Sequence, residues 1–133
     1  MSDKAGQIVQ SGPGTRHEFT LGMSDFNHNQ QLPGSTLIRL SSEARFIAFT
    51  TWPALAKLVE EDESVDVSVK VQMLRTLRPH KLFPGATLTV TQTPHAIGTN
   101  SLTLAYDFYD GDKGAFAQLL TVMVRLKDGT PLP

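Results

Sequence analysis

An aspartate stands on a polar loop directly ahead of an apolar helical pattern, and this combination can do chemistry. Asp25 lies within the stretch GMSDFN at residues 22–27. A carboxylate can act as a nucleophile or a general base, and the free N–H groups of a helix N-terminus can polarise a carbonyl or hold an oxyanion. We therefore predict that Asp25 is a catalytic carboxylate. The alternative is a structural aspartate that complements the helix dipole or caps a turn.

Other polar side chains of the same loop are candidates for substrate contact. His28 can touch a substrate or share a proton with Asp25, and its alternative is an exposed loop histidine. The amide-rich part of the loop is either a polar binding surface or surface sequence without a role; it comprises Asn27, Asn29, Gln30 and Gln31. The loop closes at Gly34, and Ser35 is the predicted N-cap of the helix. The N–H groups of residues 34–36 are the candidate oxyanion donors.

Length, net charge and composition exclude several classes of protein and of functional site. The chain has 133 residues, a net charge of −1 and no cysteine. This length suits one domain, and the charge gives no reason to expect nucleic acid or a membrane as partner. Thiol nucleophiles and cysteine metal sites are excluded, and the four histidines share no metal-ligand spacing, so we predict neither metal nor cofactor. Residues 1–14 are expected to form a flexible tail without the features of a signal peptide, which favours a cytoplasmic protein.

The elements that must position these residues follow from periodicity. Residues 16–23 are predicted as a strand, and the spacing of Leu37, Leu40 and Ala44 predicts one long helix over about residues 35–50. A short second helix is expected after Pro53. From Val65 the period changes to two, and turn signals divide the remainder into four more strands. The sequence therefore predicts an α+β fold, in which a mainly antiparallel five-stranded sheet wraps the long helix.

These motifs, in this order, resemble the hotdog-fold thioesterases of the 4-hydroxybenzoyl-CoA thioesterase-like family over roughly residues 15–130. That family opens with Asp-x-Asp-x-x-Gly-His-x-Asn, continues to a Tyr and reaches Glu-x-Ala-Arg at a fixed distance. Asp25 matches the first Asp, and residues 43–45 match the end without a gap, Arg45 lying twenty positions after Asp25. Residues 74–79, 98–102 and 128–131 resemble the family's second strand, its Gly-x-x-Ser hairpin and its closing turn.

The loop itself departs from the family pattern. In the ungapped register five family residues are replaced: the second Asp by Asn27, Gly by Gln30, His by Gln31, Asn by Pro33 and Tyr by Leu37. The pair Asp25 and Asn27 also resembles the Asp-x-Asn-Pro-x-His of hotdog enoyl-CoA hydratases, where Asp and His act on a water. Gln30 stands in that His position, and an amide cannot perform general acid/base work, so hydratase ranks below thioesterase.

The resemblance implies a hydrolase of acyl-CoA or acyl-carrier thioesters that forms a homodimer or a higher homo-oligomer. Glu43 becomes a second candidate catalytic residue, because a helix carboxylate performs the chemistry in some hotdog enzymes; its alternative is an i,i+4 ion pair with Arg39. Two further sets are expected to bind substrate: Asn27, Gln31, Gly34 and Ser35 at the acyl end, and Arg75, Arg78 and Lys81 at the phosphates. The competing class is a non-catalytic hotdog protein for acyl binding or interaction, favoured by the missing His, Asn and Tyr.

Overall fold

The computed structural model describes residues 15–51, 65–97, 101–111, 114–127 and 130–131. The predicted N-terminal tail, the predicted second helix after Pro53 and the predicted turn at residues 98–100 lie outside these ranges. The statements below concern the described residues.

One long helix and six strands make up the described structure. Strand β1 (Thr15–Thr20) is followed by a 3-10 turn (Met23–Asp25) and by the helix α1 (Gly34–Thr51). The remaining elements are strands, in this order: β2 (Val65–Thr76), β3 (Thr87–Ile97), β4 (Ser101–Tyr109), β5 (Ala117–Lys127) and β6 (Thr130–Pro131). The predicted helix and five main strands are confirmed, and β6 is an additional two-residue strand.

All described strand pairs are antiparallel, and the sheet has the order β1-β3-β4-β5-β2 with β6 beside β5. Irregular register interrupts β2 between Val69 and Val71, and β3 between Pro94 and Ala96. Such bulges increase local twist, which lets a sheet curve around a helix. Strands β1 and β2 are the two edges, so the loop after β1 and the exit of β2 each lie at a border of the sheet.

The helix covers one face of this sheet because its apolar residues recur on one side. The buried helix positions are Leu37, Leu40, Ala44 and Ala48. They pack with the inward residues of β3, β4 and β5 in one hydrophobic cluster, which includes Leu88, Val90, Leu104, Tyr106, Phe108 and Leu119. Burial of these side chains is the main contribution that holds the helix on the sheet.

Arg45, the last residue of the family-like motif, is buried and joins the helix to the sheet. It is 8% exposed and donates hydrogen bonds to the hydroxyl of Tyr106 and to Oγ of Ser42, both at 3.1 Å. Burial raises the pKa of Tyr106 to about 12, against the opposing effect of the nearby guanidinium. A neutral phenol is therefore kept beside Arg45, and the motif serves helix–sheet attachment.

One predicted strand boundary and the predicted helix N-cap were wrong. Strand β1 ends at Thr20, and Met23 belongs to the 3-10 turn with 82% of its surface exposed. The helix begins at Gly34, because the carbonyl of Pro33 accepts from the N–H groups of Thr36 at 3.0 Å and Leu37 at 3.4 Å. Ser35 thus lies in the first turn and is not the N-cap. Among the described residues no helix is both long and apolar enough to cross a membrane.

Candidate active site

The loop after β1 is held against the first turn of α1 by contacts around Asp25. The N–H of Gly22 donates to Oδ2 of Asp25 at 2.8 Å, and the N–H of Asp25 donates back to the carbonyl of Gly22 at 3.1 Å. The hydroxyl of Thr36 donates to the carbonyl of Asp25 at 2.9 Å. Asp25 therefore caps the 3-10 turn, as its structural alternative requires, and its backbone carbonyl lies against the first turn of the helix.

One guanidinium joins the two predicted catalytic carboxylates. Nη2 of Arg39 donates to Oδ1 of Asp25, and Nη1 donates to Oε2 of Glu43 at 2.8 Å. The side chain of Asp25 is 16% exposed, whereas Arg39 and Glu43 are half exposed. Ion pairs exposed to this degree contribute about 0–1 kcal/mol, so displacing Arg39 from Asp25 costs little. Sequence reasoning assigned Arg39 only to Glu43, because Asp25 reaches it through the fold.

Asn27 organises the turn that follows Asp25. Its Oδ1 accepts from the N–H groups of Asn29 at 2.9 Å and Gln31 at 3.0 Å. Its own N–H donates to the carbonyl of Gln31, and its carbonyl accepts from Gln30, both at 2.9 Å. The side-chain oxygen of Asn27 is thus engaged within the loop. His28 is exposed on the same turn and makes no hydrogen bond with the described residues.

Gln30 has a left-handed backbone, with φ of 58°. Side chains on L-residues disfavour this region, and glycine adopts it readily. Gln30 occupies the position of the family glycine in the ungapped register, so the backbone retains the glycine conformation while the side chain has changed. This agreement supports the ungapped alignment of the loop.

The start of α1 offers unpaired N–H donors. The N–H groups of Gly34 and Ser35 have no acceptor in the described part of the chain. A Cβ on Gly34 would lie 2.9 Å from Cδ2 of Leu74, so the absence of a side chain lets the helix start approach β2 closely. Two free donors and a nearby carboxylate can together polarise a carbonyl and deliver a nucleophile.

The fold separates Arg75 from the other two predicted phosphate-binding cations, Arg78 and Lys81. Arg75 lies on the sheet face away from the helix and donates to Oε1 of Gln118 at 3.1 Å. Arg78 holds the carboxylate of Asp110 with two hydrogen bonds at 2.7 and 3.0 Å, and also donates to the carbonyl of Gly114. Lys81 is exposed, and its ammonium has no partner in the ranges that the structure describes.

Asp110, directly after β4, joins Arg78 to the backbone of Lys81, and this contact among the three residues is called the clasp. The side chain of Asp110 is 5% exposed and accepts from the N–H of Lys81 at 2.7 Å. The hydrogen bonds from Arg78 lower the pKa of Asp110 to about 2. Charge-assisted two-point contacts of this kind fix geometry, so Arg78 positions the segment between β2 and β3.

A cavity of about 400 Å³ lies between the Asp25 loop, the helix start and the exit of β2. Its apolar wall consists of Leu32, Leu37, Leu82, Phe116 and Ala117, and its polar residues are Gln30, Gln31, Thr76, Arg78 and His80. Asp25 is attached to Thr36, the neighbour of the wall residue Leu37. Asp25 itself does not line the cavity, and the two are connected through the first turn of α1.

His80 connects the two loops that border this cavity. Its Nε2 faces the N–H of Leu32 at 3.2 Å, and its Nδ1 faces the N–H of Leu82 at 3.0 Å. The ring lies between Phe26 and Phe116, at centroid distances of 6.3 and 5.6 Å. Burial lowers the pKa of His80, with Asp110 acting in the opposite direction. A neutral imidazole has one acceptor nitrogen. Protonation would turn this nitrogen into a donor, so the hydrogen bond from the backbone N–H would be lost whichever tautomer is present.

A second hollow, of about 660 Å³, lies on the other face of the sheet. It contains Arg75, Met73, His95 and Asp107, and none of the residues of the Asp25 loop. Arg75 is therefore not brought together with the predicted catalytic residues within one chain. In the ranges described, no cluster of three or more His, Cys, Asp or Glu has an arrangement that could hold a metal.

Comparison with known proteins gives matches in structure only. Neither the sequence profiles of known families nor the sequences of curated proteins match this chain. The probable thioesterase YbaW of Escherichia coli aligns with a TM-score of 0.76 and 14% identity, over 88% of this chain and 87% of that one. Slr0204 of Synechocystis, a 1,4-dihydroxy-2-naphthoyl-CoA thioesterase, aligns with a TM-score of 0.75 and 11% identity, over 90% and 88%.

An acyl-CoA hydrolase of Staphylococcus aureus, solved with butyryl coenzyme A, aligns at 21% identity and a TM-score of 0.63, over 89% of this chain and 66% of that one. All three similarities extend over most of this chain, so its fold is the hotdog fold of these thioesterase structures. The expected α+β architecture is confirmed. At these identities the agreement concerns the fold, and the chemistry has to be argued from the site.

Proposed function

We propose that this protein hydrolyses acyl thioesters, with acyl-CoA or an acyl-carrier thioester as substrate. The observation that carries the proposal is the position of Asp25 against α1. Its backbone carbonyl accepts from Thr36 in the first turn, where the N–H groups of Gly34 and Ser35 are unpaired, and its carboxylate accepts from Arg39 of the same helix. The hotdog fold shared with several thioesterases supports the same reaction class.

In this mechanism the thioester carbonyl lies over the helix start and the two N–H groups bind its oxygen. Asp25 either attacks the carbonyl carbon or removes a proton from an attacking water. The C–S bond then breaks, and the thiolate leaves and takes up a proton. When Asp25 is the nucleophile, water hydrolyses the resulting anhydride and restores the carboxylate. Arg39 must first release Oδ1 of Asp25, and its exposure makes that release inexpensive.

Phosphate binding is a separate part of the proposal. Of the three cations predicted for this role, Lys81 has the ammonium exposed, whereas Arg78 is engaged by Asp110. Arg75 can meet the same substrate only if a second chain brings its outer sheet face near the helix start. We therefore assign the first phosphate contact to Lys81, with His28 and Gln31 as exposed neighbours of the acyl end.

A homodimer in the cytoplasm completes the proposal. Arg39, Glu43 and Phe46 follow the i, i+4, i+7 spacing of one helix face, and Phe46 is 70% exposed. The edge strand β2 adds Val71 and Met73, which are 43% and 58% exposed. Because Met73 lies on the sheet face away from the helix, these side chains form a second exposed apolar surface, beside an unpaired strand edge, that is suited to a second copy of the chain.

A second candidate function rests on one observation. Both oxygens of Asp25 accept hydrogen bonds, from Gly22 and from Arg39. A carboxylate used in this way suits a protein that binds acyl thioesters without cleaving them. The two candidates make opposite predictions for turnover, and the same experiment separates them.

The decisive experiment is Asp25→Asn, assayed on a panel of acyl-CoA substrates by release of free thiol. The chain has no cysteine, so its own residues give no background in this assay. We expect kcat to fall on the order of a hundredfold or more, because the carboxylate acts in the transition state. Asp107→Asn, on the outer sheet face, is the matched control. Equal rates for wild type and Asp25→Asn would refute the catalytic role, and binding without any wild-type turnover would favour the second candidate.

A further inference from the structure

Gln30 keeps a side chain at a backbone position that favours glycine. Its φ of 58° lies in the left-handed region, where side chains on L-residues are strained. The position is fixed by the loop, because the N–H of Gln30 donates to the carbonyl of Asn27 while the N–H of Asn27 donates to the carbonyl of Gln31, both at 2.9 Å. Glycine would adopt this backbone conformation with less strain, so the loop geometry alone does not account for a glutamine at this position.

That side chain lines the 400 Å³ cavity beside the helix start. The backbone of the cavity border is held in place on both sides, by Asn27 within the loop and by His80 between Leu32 and Leu82. Gln30 itself is exposed, and its amide has no hydrogen-bond partner in the described part of the chain. An unpaired amide at the border of a preformed cavity can both donate and accept a hydrogen bond.

The composition of the cavity restricts its occupant. One wall is apolar, with Leu37 and Phe116 buried, whereas Gln30 and Gln31 bring two amides to the same space. A purely apolar occupant would strip water from these amides without replacing it, which is unfavourable. A volume of about 400 Å³ lies near the lower end of the range for small-molecule sites, so the occupant is compact.

We infer that this cavity is the acyl subsite, and that Gln30 selects compact acyl groups with a hydroxyl or carbonyl oxygen at the end away from the thioester. The inference rests on the proposed thioesterase function, since it assigns the acyl end of that substrate. Asn27, predicted from the sequence as a binding residue, supports the loop, because its side-chain oxygen already accepts from Asn29 and Gln31.

The test uses a matched pair of substrates, 6-hydroxyhexanoyl-CoA and hexanoyl-CoA, which differ by one terminal hydroxyl. In the wild type we expect kcat/KM to favour the hydroxylated substrate by about tenfold, the range of one neutral hydrogen bond. Gln30→Gly and Gln30→Ala should bring this ratio close to one. Asn29→Ala, on the same loop but outside the cavity lining, should keep it.

The melting temperature distinguishes backbone strain at Gln30 from its effect on substrate preference. Gln30→Gly should raise the melting temperature by about 3 °C as it loses the preference, because glycine relieves the left-handed strain. Turnover without a hydroxyl preference, or a preference that survives both Gln30 variants, would overturn the inference while leaving the proposed function standing. If no panel member is hydrolysed, the proposed function fails. The subsite is then tested by calorimetry, as the ratio of the affinities of 6-hydroxyhexanoyl-CoA and hexanoyl-CoA for wild type and for the same variants.

Discussion

Replacing Asp110 with Asn tests whether Arg78 is a structural clasp or a phosphate ligand. The carboxylate of Asp110 accepts two hydrogen bonds from Arg78 and one from the N–H of Lys81, with its side chain 5% exposed. An asparagine has a single acceptor oxygen and would point an NH₂ group at the guanidinium. The change therefore removes the two-point contact that attaches the segment after β2 to the end of β4.

The expected loss follows from the pKa of Asp110. The hydrogen bonds from Arg78 lower this pKa from 3.8 to about 2. At about 1.4 kcal/mol per pKa unit, the ionised carboxylate adds about 2 kcal/mol to the free energy of unfolding at neutral pH. Because the folded-state pKa is the lower one, this contribution is fully present above pH 3.8 and is lost as the pH falls through about 2.

Urea unfolding of wild type and Asp110→Asn between pH 7 and pH 2 measures this contribution. We expect a difference of about 2 kcal/mol at pH 7 that narrows towards pH 2. Asp107→Asn is the matched control, because Asp107 accepts one hydrogen bond, from Gln118 at 2.9 Å. Arg78→Gln should also lower the free energy of unfolding, and the double variant should add little to either single change. A difference below about 0.5 kcal/mol at pH 7, or one that does not change with pH, would refute the reasoning.

Three further predictions concern Arg39, His80 and Phe46. Arg39→Met should change the free energy of urea unfolding by less than about 1 kcal/mol, because the guanidinium is half exposed in both of its ion pairs; a loss above about 2 kcal/mol would make it a structural anchor. Burial lowers the pKa of His80, so its contribution is present above pH 6.5 and is lost as the pH falls through the folded-state pKa. The melting temperature of wild type should therefore drop more between pH 7.5 and pH 5 than that of His80→Gln, whereas the exposed control His28→Gln should follow wild type. Phe46→Glu should shift the sedimentation of a dimer towards the 14.6 kDa monomer, and an unchanged profile would place the dimer contact elsewhere.

The sequence alone determined the order and type of the elements. The period-two pattern that begins at Val65 and the one-sided spacing of Leu37, Leu40 and Ala44 both report local geometry, and local geometry decides which face of an element can be buried. Antiparallel pairing followed as well, because short turns cannot join parallel neighbours. The resemblance to the family pattern matched Asp25 and Gln30 to the loop ahead of the helix, because both lie at fixed distances from the Glu43–Arg45 motif.

The tertiary structure decided the partners of the charged and polar side chains. Arg39 reaches Asp25 across fourteen residues, Arg78 reaches Asp110 across 32, and His80 reaches the N–H of Leu32 across 48. Periodicity carries no information on such pairs, because each depends on which element folds beside which. The physical reason is that a long polar side chain forms hydrogen bonds with whichever donor or acceptor groups lie within about 3 Å once the elements have packed. Thus sequence placed a carboxylate at the helix start, and only the folded chain determined that Arg39 holds it and that Arg78 is a clasp.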